Sequence, residues 1–381
     1  MGDKLYLPHS EQFDKMNGYL EMIARGIGSQ IYEPTWRGVQ NAVRAGVAPE
    51  LYPVGTQFVV HHEVYGDHLY DVVAHDHYKS ATDENAHTMT LLSHDSILEE
   101  VFDAAEAMYY ADSVLAAGTY NFINPATGGK LSQGSYEFTL SKDVPKDGLL
   151  KLSILTESGT TVFKISSYSS QDKPNEPIET VYVSEGQGGI NLGTLGVELN
   201  DYGRLTAGSN NYKESFVRQF LNSDASVGSI WRPQTKFDLP PLSNETQEGF
   251  LKGLDEEFLS VIGKVIIPCS ANIKYESPDS ETAPGENYEL KDLFYLPSHI
   301  EIYGQHFQGT SEEGALFPYY NNAISSDFFK RFDGRNGSWA LRTPARFLSY
   351  ATVCAAMATN GISAGMNSVG TFCIAPACNI V

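Results

Sequence analysis

Residues 337–381 read GSWALRTPARFLSYATVCAAMATNGISAGMNSVGTFCIAPACNIV. The two ends of this stretch have the composition of a scaffold: Trp339, Leu341, Arg342 and Pro344 at one end, and Phe372, Ile374, Pro376 and Ala377 at the other. The part between them is different. Residues 343–371 contain no Asp, Glu, Lys, Gln, His or Trp. Ala, Ser, Thr and Gly dominate there, with Phe347, Leu348, Tyr350, Cys354 and Ile362 scattered among them. Acid–base catalysis most often rests on positioned carboxylates, imidazoles or amines. This segment supplies none, and it reads as a permissive surface held between two fixed ends.

The rest of the chain sets the scale. It has 381 residues, enough for two or three domains, each with its own core. Hydrophobic residues make up 41% and charged residues 19%, a globular balance on the low-charge side. A net charge of −21 argues against nucleic acid or an anionic membrane as partner. The counts of Tyr (22), Gly (34) and Phe (19) favour β structure with loop-rich surfaces.

The opening MGDKLYLPHSEQF lacks a basic segment followed by an apolar run, so no signal peptide is expected. Position 6 is Tyr, so the N-myristoylation pattern fails. No apolar run reaches the length of a membrane span, and no membrane insertion is expected. Cys269, Cys354, Cys373 and Cys378 form no CxxC pair and are expected as reduced, buried thiols.

Upstream of residue 337, the periodicity divides the chain. Phe13, Met16, Leu20, Ile23 and Ile27 are spaced three and four apart, and Trp36, Val39 and Val43 continue the helical pattern. Residues 1–50 therefore form a small helical head, serving either assembly or as a cap on the next domain. A β-rich unit begins at Pro53, with strands expected over 58–64, 69–73 and 88–97 and a turn at Tyr65–Asp67. Residues 98–118 (LEEVFDAAEAMYYADSVLAAG) are expected as a helix with carboxylates in its first turn. From Thr119, five short alternating strands separated by Gly, Pro, Asn and Asp turns read as an inserted all-β sandwich over 117–202. The first unit then resumes. A helix is expected around Phe216, Val217, Phe220 and Leu221, and a longer one over 246–265 leading into the strand VIIPC. A strand and a short helix are expected over 288–304, and residues 311–337 read as an aromatic surface excursion.

Chemical motifs are sparse. GxSxG, GxGxxG after a strand, the P-loop and HExxH are all missing. Gly186, Gly188 and Gly189 have no helix after them and read as a sheet connection. The histidines leave two alternatives. His75 and His77 flank Asp76 and would share one strand face. With His87 they could hold zinc; equally, they could be hydrogen-bonding residues packed under a loop. Tyr319, Tyr320, Phe328 and Phe329 could line a sugar or protein site, or simply pack their own loop.

Five strings stand in one fixed order: NNYKESFVRQFLNSD, FLKGLDEEFLSVIGKVIIPC, KDLFYLPSHIEIYG, SWALRTP and GTFCIAPACNIV. This order resembles a group of phage and prophage proteins of gut bacteria that carry W-x-L-R-[ST]-P before a terminal strand. Two positions depart from that pattern. Ala340 stands where a second aromatic is usual, and 372–377 replace the usual G-V-x-P-A ending. The resemblance implies an α+β, C-type-lectin-like domain over 51–116 and 203–381, with the sandwich inserted. Some members are variable proteins of diversity-generating retroelements, in which adenines of a C-terminal repeat are mutated. AAY codons can then become only NNY codons, which encode no Lys, Gln, Glu, Met or Trp. Residues 343–371 lack Lys, Gln, Glu and Trp, and Met357 and Met366 are expected as fixed positions. Asp and His, which NNY permits, are absent as well. The other account of this composition is a hairpin that simply needs small residues.

The resemblance thus implies a non-enzymatic phage virion protein without cofactor. It would bind a host-cell or mucosal surface protein or glycan, as a homo-oligomer among other virion proteins. The expected contact residues are Ala345, Arg346, Phe347, Leu348, Tyr350, Thr352, Cys354, Ala356, Asn367, Ser368, Val369 and Thr371. The alternative is a capsid decoration, head-fibre or tail protein without hypervariation. A third reading takes Cys373 and Cys378 as the thiol pair of a formylglycine-generating oxidase of the same fold.

Overall fold

Ten residues near the C-terminus tie the architecture together. In the computed structural model, Thr371–Ile374 lies in a five-stranded sheet and Ala377–Ile380 in a six-stranded one. The structure describes residues 31–32, 35–104, 108–124, 131–157, 160–170, 176–194, 210–230, 246–270, 287–307, 310, 312–345, 352–356, 363–367 and 370–381. The fold is α+β and β-rich, with few and short helices among these residues.

In the six-stranded sheet the order is Ile31–Tyr32, Gln57–His62, Gly66–His75, Met89–Ser93, Ala377–Ile380 and Phe294–Tyr295. In the five-stranded sheet it is Ser363–Asn367, Thr352–Ala356, Trp339–Ala345, Thr371–Ile374 and Leu98–Val101. The segment 89–101 runs antiparallel to 371–380 through both sheets, from Met89 opposite Ile380 to Val101 opposite Thr371. At the corner, Ser93 N–H donates to Pro376 O (3.0 Å) and Ile97 N–H to Ile374 O (2.9 Å). Pro376 has no N–H to give the ladder, so the turn between sheets suits it. Phe372 to Ile380 are all buried, so both faces of this ribbon are packed.

Leu98–Val101 corrects the helix expected over 98–118. Leu98 is buried, Glu99 exposed and Glu100 buried, which is the two-residue period of a strand. A second strand, Met108–Tyr110, comes after it. Pairing with Thr371–Ile374 overrides the local helical spacing. The helix expected over 246–265 is also shorter. A 3-10 turn, Phe250–Gly253, precedes a helix Glu256–Val261, whose N-cap Asp255 accepts from Phe258 N–H. Position 253 must be glycine, because a Cβ there would stand 2.3 Å from the His62 ring. The helix Phe216–Leu221 buries Phe216, Val217, Phe220 and Leu221, as the sequence suggests. Trp36–Arg44 is helical, while the periodic stretch 13–27 lies outside the described residues.

A second, separate core gathers residues between 111 and 192. One four-stranded sheet carries Tyr120, Phe122, Tyr136, Phe138 and Leu140; the other carries Leu150, Leu152 and Ile165. The rings of Tyr136 and Phe163 meet across them at 6.5 Å. Met108–Tyr110 pairs with Leu149–Glu157, so this unit recruits chain from before residue 117.

Candidate functional site

The permissive segment hangs from one strand. Trp339–Ala345 pairs with Thr352–Ala356, which pairs in turn with Ser363–Asn367 at the sheet edge. The register sets Thr352 opposite Asn367, Cys354 opposite Gly365 and Ala356 opposite Ser363. Four of the expected contact residues, Thr352, Cys354, Ala356 and Asn367, thus fall on this two-stranded ladder. Ala345 ends the supporting strand, and Thr371 is exposed at the start of the next. Arg346, Phe347, Leu348, Tyr350, Ser368 and Val369 lie outside the described residues.

The supporting end is built from a buried cation. Trp339, Leu341 and Arg342 have no solvent exposure (0% each), and Pro344 is also buried. Arg342 makes a bidentate pair with Glu301, Nη1 to Oε2 at 2.7 Å and Nη2 to Oε1 at 2.6 Å. Its remaining donor capacity goes to Leu296 O (2.9 Å), Glu313 O (2.8 Å), Pro268 O (3.2 Å) and Tyr78 OH (3.1 Å). The planar fork of arginine fits this set of acceptors as lysine does not. Burial opposes the charge, but the paired Glu301 holds the guanidinium above its ordinary pKa.

Glu301 is positioned by a capping box. Ser298 Oγ accepts from Glu301 N–H, and the Glu301 carboxylate accepts from Ser298 N–H (2.8 Å). Gly314, at φ +104°, passes so close that a Cβ would stand 2.7 Å from Glu301 Oε1. The five-residue helix His299–Tyr303 thus serves to aim one carboxylate at Arg342. Sequence reading singled out Arg342 but neither Glu301 nor Glu313. The only local signal was the S-x-x-E spacing of Ser298 and Glu301.

Glu313 is the second carboxylate of this cluster. Its Oε2 accepts from Thr343 Oγ1 (2.9 Å) and its Oε1 from Ser270 N–H (3.3 Å). Burial raises its pKa from 4.5 to about 7, against the nearby Arg342. The folded state therefore favours the neutral acid. Its contribution to stability is full below pH 4.5 and is lost as pH rises to about 7. Glu313→Gln should remove this slope. The stability difference between wild type and variant should change by on the order of 3 kcal/mol across that window. Urea melts at both ends of the window measure it, and parallel curves would refute the assignment. Residues 311–337, expected as a surface excursion, thus bury Glu313, Phe317, Tyr320 and Lys330 in the main core.

The histidines are spent on hydrogen bonds and packing, and His77 Nε2 lies 4.0 Å from Glu301 Oε1. The strand ends at His75, and Asp76 takes a left-handed φ of 51°, so His75 and His77 do not obey strand alternation. This corrects the expectation that they share a face. His75 Nε2 donates to Tyr52 O (2.9 Å), while the His77 ring packs on Tyr78 and Phe317. His87 Nδ1 lies 2.9 Å from Asp76 Oδ2 on the surface. Among the described residues, no group of three or more His, Cys, Asp or Glu is placed to hold a metal. Cys373 and Cys378 sit in strands of two different sheets, and burial raises both thiol pKa values.

No curated protein and no solved structure matches the chain. The family model of a domain of unknown function, DUF6273, matches residues 190–381. That span holds Glu301, Glu313, Trp339, Arg342 and the terminal ribbon, so the buried frame lies within it. The chain belongs to the DUF6273 family.

Proposed function

We propose that the chain is a non-enzymatic display protein of a phage virion, presenting residues 345–371 as an exchangeable contact surface on a C-type-lectin-like domain. The observation that carries this reading is the placement of the hairpin. Thr352–Ala356 and Ser363–Asn367 form the outer edge of a sheet whose next strand is buried from Trp339 to Pro344. Gly365 and Thr371 within the segment are exposed. Substitutions at such an edge spare the core, and surface changes of this kind usually alter stability by less than about 0.5 kcal/mol. Small polar and aromatic residues make adaptable contacts, as in antibody paratopes. The partner class is a protein or glycan on a host cell or mucosal surface. Many copies per particle would raise weak single-site affinity by avidity.

The test is a block exchange of 345–371 for other sequences drawn from the NNY set. The melting temperature should stay within a few degrees while binding to a panel of gut bacterial cells and to mucin changes. Unfolding of the exchanged chains, or binding indifferent to the exchange, would overturn the reading. A cryo-electron reconstruction that buries the edge strand against another virion protein would replace it with an assembly role.

A further inference from the structure

A cavity of about 370 Å³ opens on the frame, lined from the loop 319–336 and from the strands that carry Asp71 and His94. Its size falls among sites that take small molecules. Its floor is built rather than incidental. Asp71 is 2% exposed, accepts from Gln57 Nε2 (2.9 Å) and fixes His94 through Nδ1 (2.8 Å). This leaves His94 Nε2 as the ring nitrogen that Asp71 does not engage. The His94 side chain is 41% exposed and lines the cavity.

The charges of the lining are matched among themselves. Lys330 is buried and donates to Ser93 O and His94 O; Arg331 N–H donates to Asp95 Oδ1 (2.9 Å). Three carboxylates (Asp71, Asp95, Asp327) face three cationic or titratable groups (His94, Lys330, Arg331). With His94 protonated the lining sums to zero and with it neutral to −1, so an anion gains no attraction there, and a charged ligand of either sign would lose its hydration. The rim offers hydrogen bonds of both senses, with acceptors at Asp327 and donors at Arg331 and Asn336, all exposed. Tyr319 and Phe329 add aromatic surface. Hydroxyl groups donate and accept together, and the C–H faces of a sugar ring pack on aromatic rings.

We infer that this cavity binds a neutral saccharide, as a free sugar or as the terminal unit of a glycan, at a site separate from residues 345–371. It joins the charge-matched Asp71–His94 floor to a rim of mixed donors and acceptors, and it belongs to the fixed part of the chain.

Saturation-transfer NMR on the full chain tests this. One arm uses galactose, glucose, mannose and N-acetylglucosamine as free sugars; the other uses immobilised gastric mucin. Transfer from a free sugar identifies a monosaccharide site, and capture by mucin alone identifies a glycan terminus; either supports the inference only if the variants weaken it. Arg331→Ala and Asn336→Ala alter exposed side chains and keep the Arg331 backbone N–H on Asp95, so the melting temperature should hold. Each should weaken binding by about tenfold, the loss of one hydrogen bond to a polar or charged partner. Binding should survive the block exchange of 345–371, which separates this site from the display surface. No binding in either arm, binding unchanged in both variants, or binding of inorganic phosphate in place of sugar would overturn the inference.

Discussion

Arg342→Met should destabilise the main core by about 3–5 kcal/mol, because it strands Glu301 as a buried, unpaired carboxylate. Glu301 and Arg342 are both 0% exposed, so water cannot replace the lost partner. Three backbone carbonyls, Pro268 O, Leu296 O and Glu313 O, also lose their donor. Against a total stability of roughly 5–15 kcal/mol, this loss is about a fifth or more of the whole. A fall in melting temperature of about 6–20 °C is expected, read by calorimetry. The double variant Glu301→Met/Arg342→Met separates two causes. Removing both charges relieves the stranded carboxylate, while the carbonyls stay without their donor, a cost that both variants share. The double variant should therefore lie between Arg342→Met and wild type. A single variant within about 1 kcal/mol of wild type would show that Arg342 does not hold the frame.

The frame was legible in sequence because its residue types are unusual together. Trp339, Arg342 and Pro344 at one end and Phe372 and Pro376 at the other enclose a segment without Asp, Glu, Lys, Gln, His or Trp, and that contrast needs no partner to be seen. What Arg342 touches was not legible. Glu301 lies 41 residues away and Tyr78 lies 264 residues away in the chain. The same limit explains the misread stretch 98–118. LEEV fits either a helix turn or a strand, and the strand that decides it, with Cys373 opposite Glu99, stands near the other end of the chain. At His75 and His77 the obstacle was local. One left-handed residue, Asp76, ends the alternation on which the metal reading rested. The helix Phe216–Leu221 was readable because its apolar spacing and its Ser215 cap are both local signals.

The cavity by His94 illustrates the same point from the other direction. Tyr319 and Tyr320 stood out as aromatic residues, but nothing near them in sequence supplies a polar floor. That floor comes from Asp71 and His94, brought under the loop by the six-stranded sheet and pinned by Lys330. The cavity and the edge hairpin are therefore different structures, one lined by the loop 319–336 over Asp71 and His94, the other formed by Thr352–Ala356 and Ser363–Asn367.

Trp339→Ala should cost about 3–5 kcal/mol, the range for removing a fully buried indole. Trp339 is 0% exposed, and its Nε1–H donates to Phe328 O (2.9 Å). Trp339→Phe keeps most of the packing and loses the donor, so its cost should be nearer about 1 kcal/mol. The two variants differ further through Lys330, whose ammonium lies 5.5 Å from the indole centroid. Burial lowers the Lys330 pKa from 10.5 to about 8 in the folded chain. A lowered value means the folded state disfavours the charged form. Its contribution to stability is full above pH 10.5 and is lost as pH falls through about 8. Wild type should therefore gain stability between those limits, on top of any slope from other groups. In Trp339→Ala, water entering beside Lys330 restores the charged form, and this component of the slope should vanish. In Trp339→Phe the site stays dry and the slope should persist. Denaturant melts of the three chains at pH 8 and pH 10 decide it. Equal slopes in wild type and Trp339→Ala would mean that Lys330 is kept from water by the surrounding core and not by the Trp339 ring.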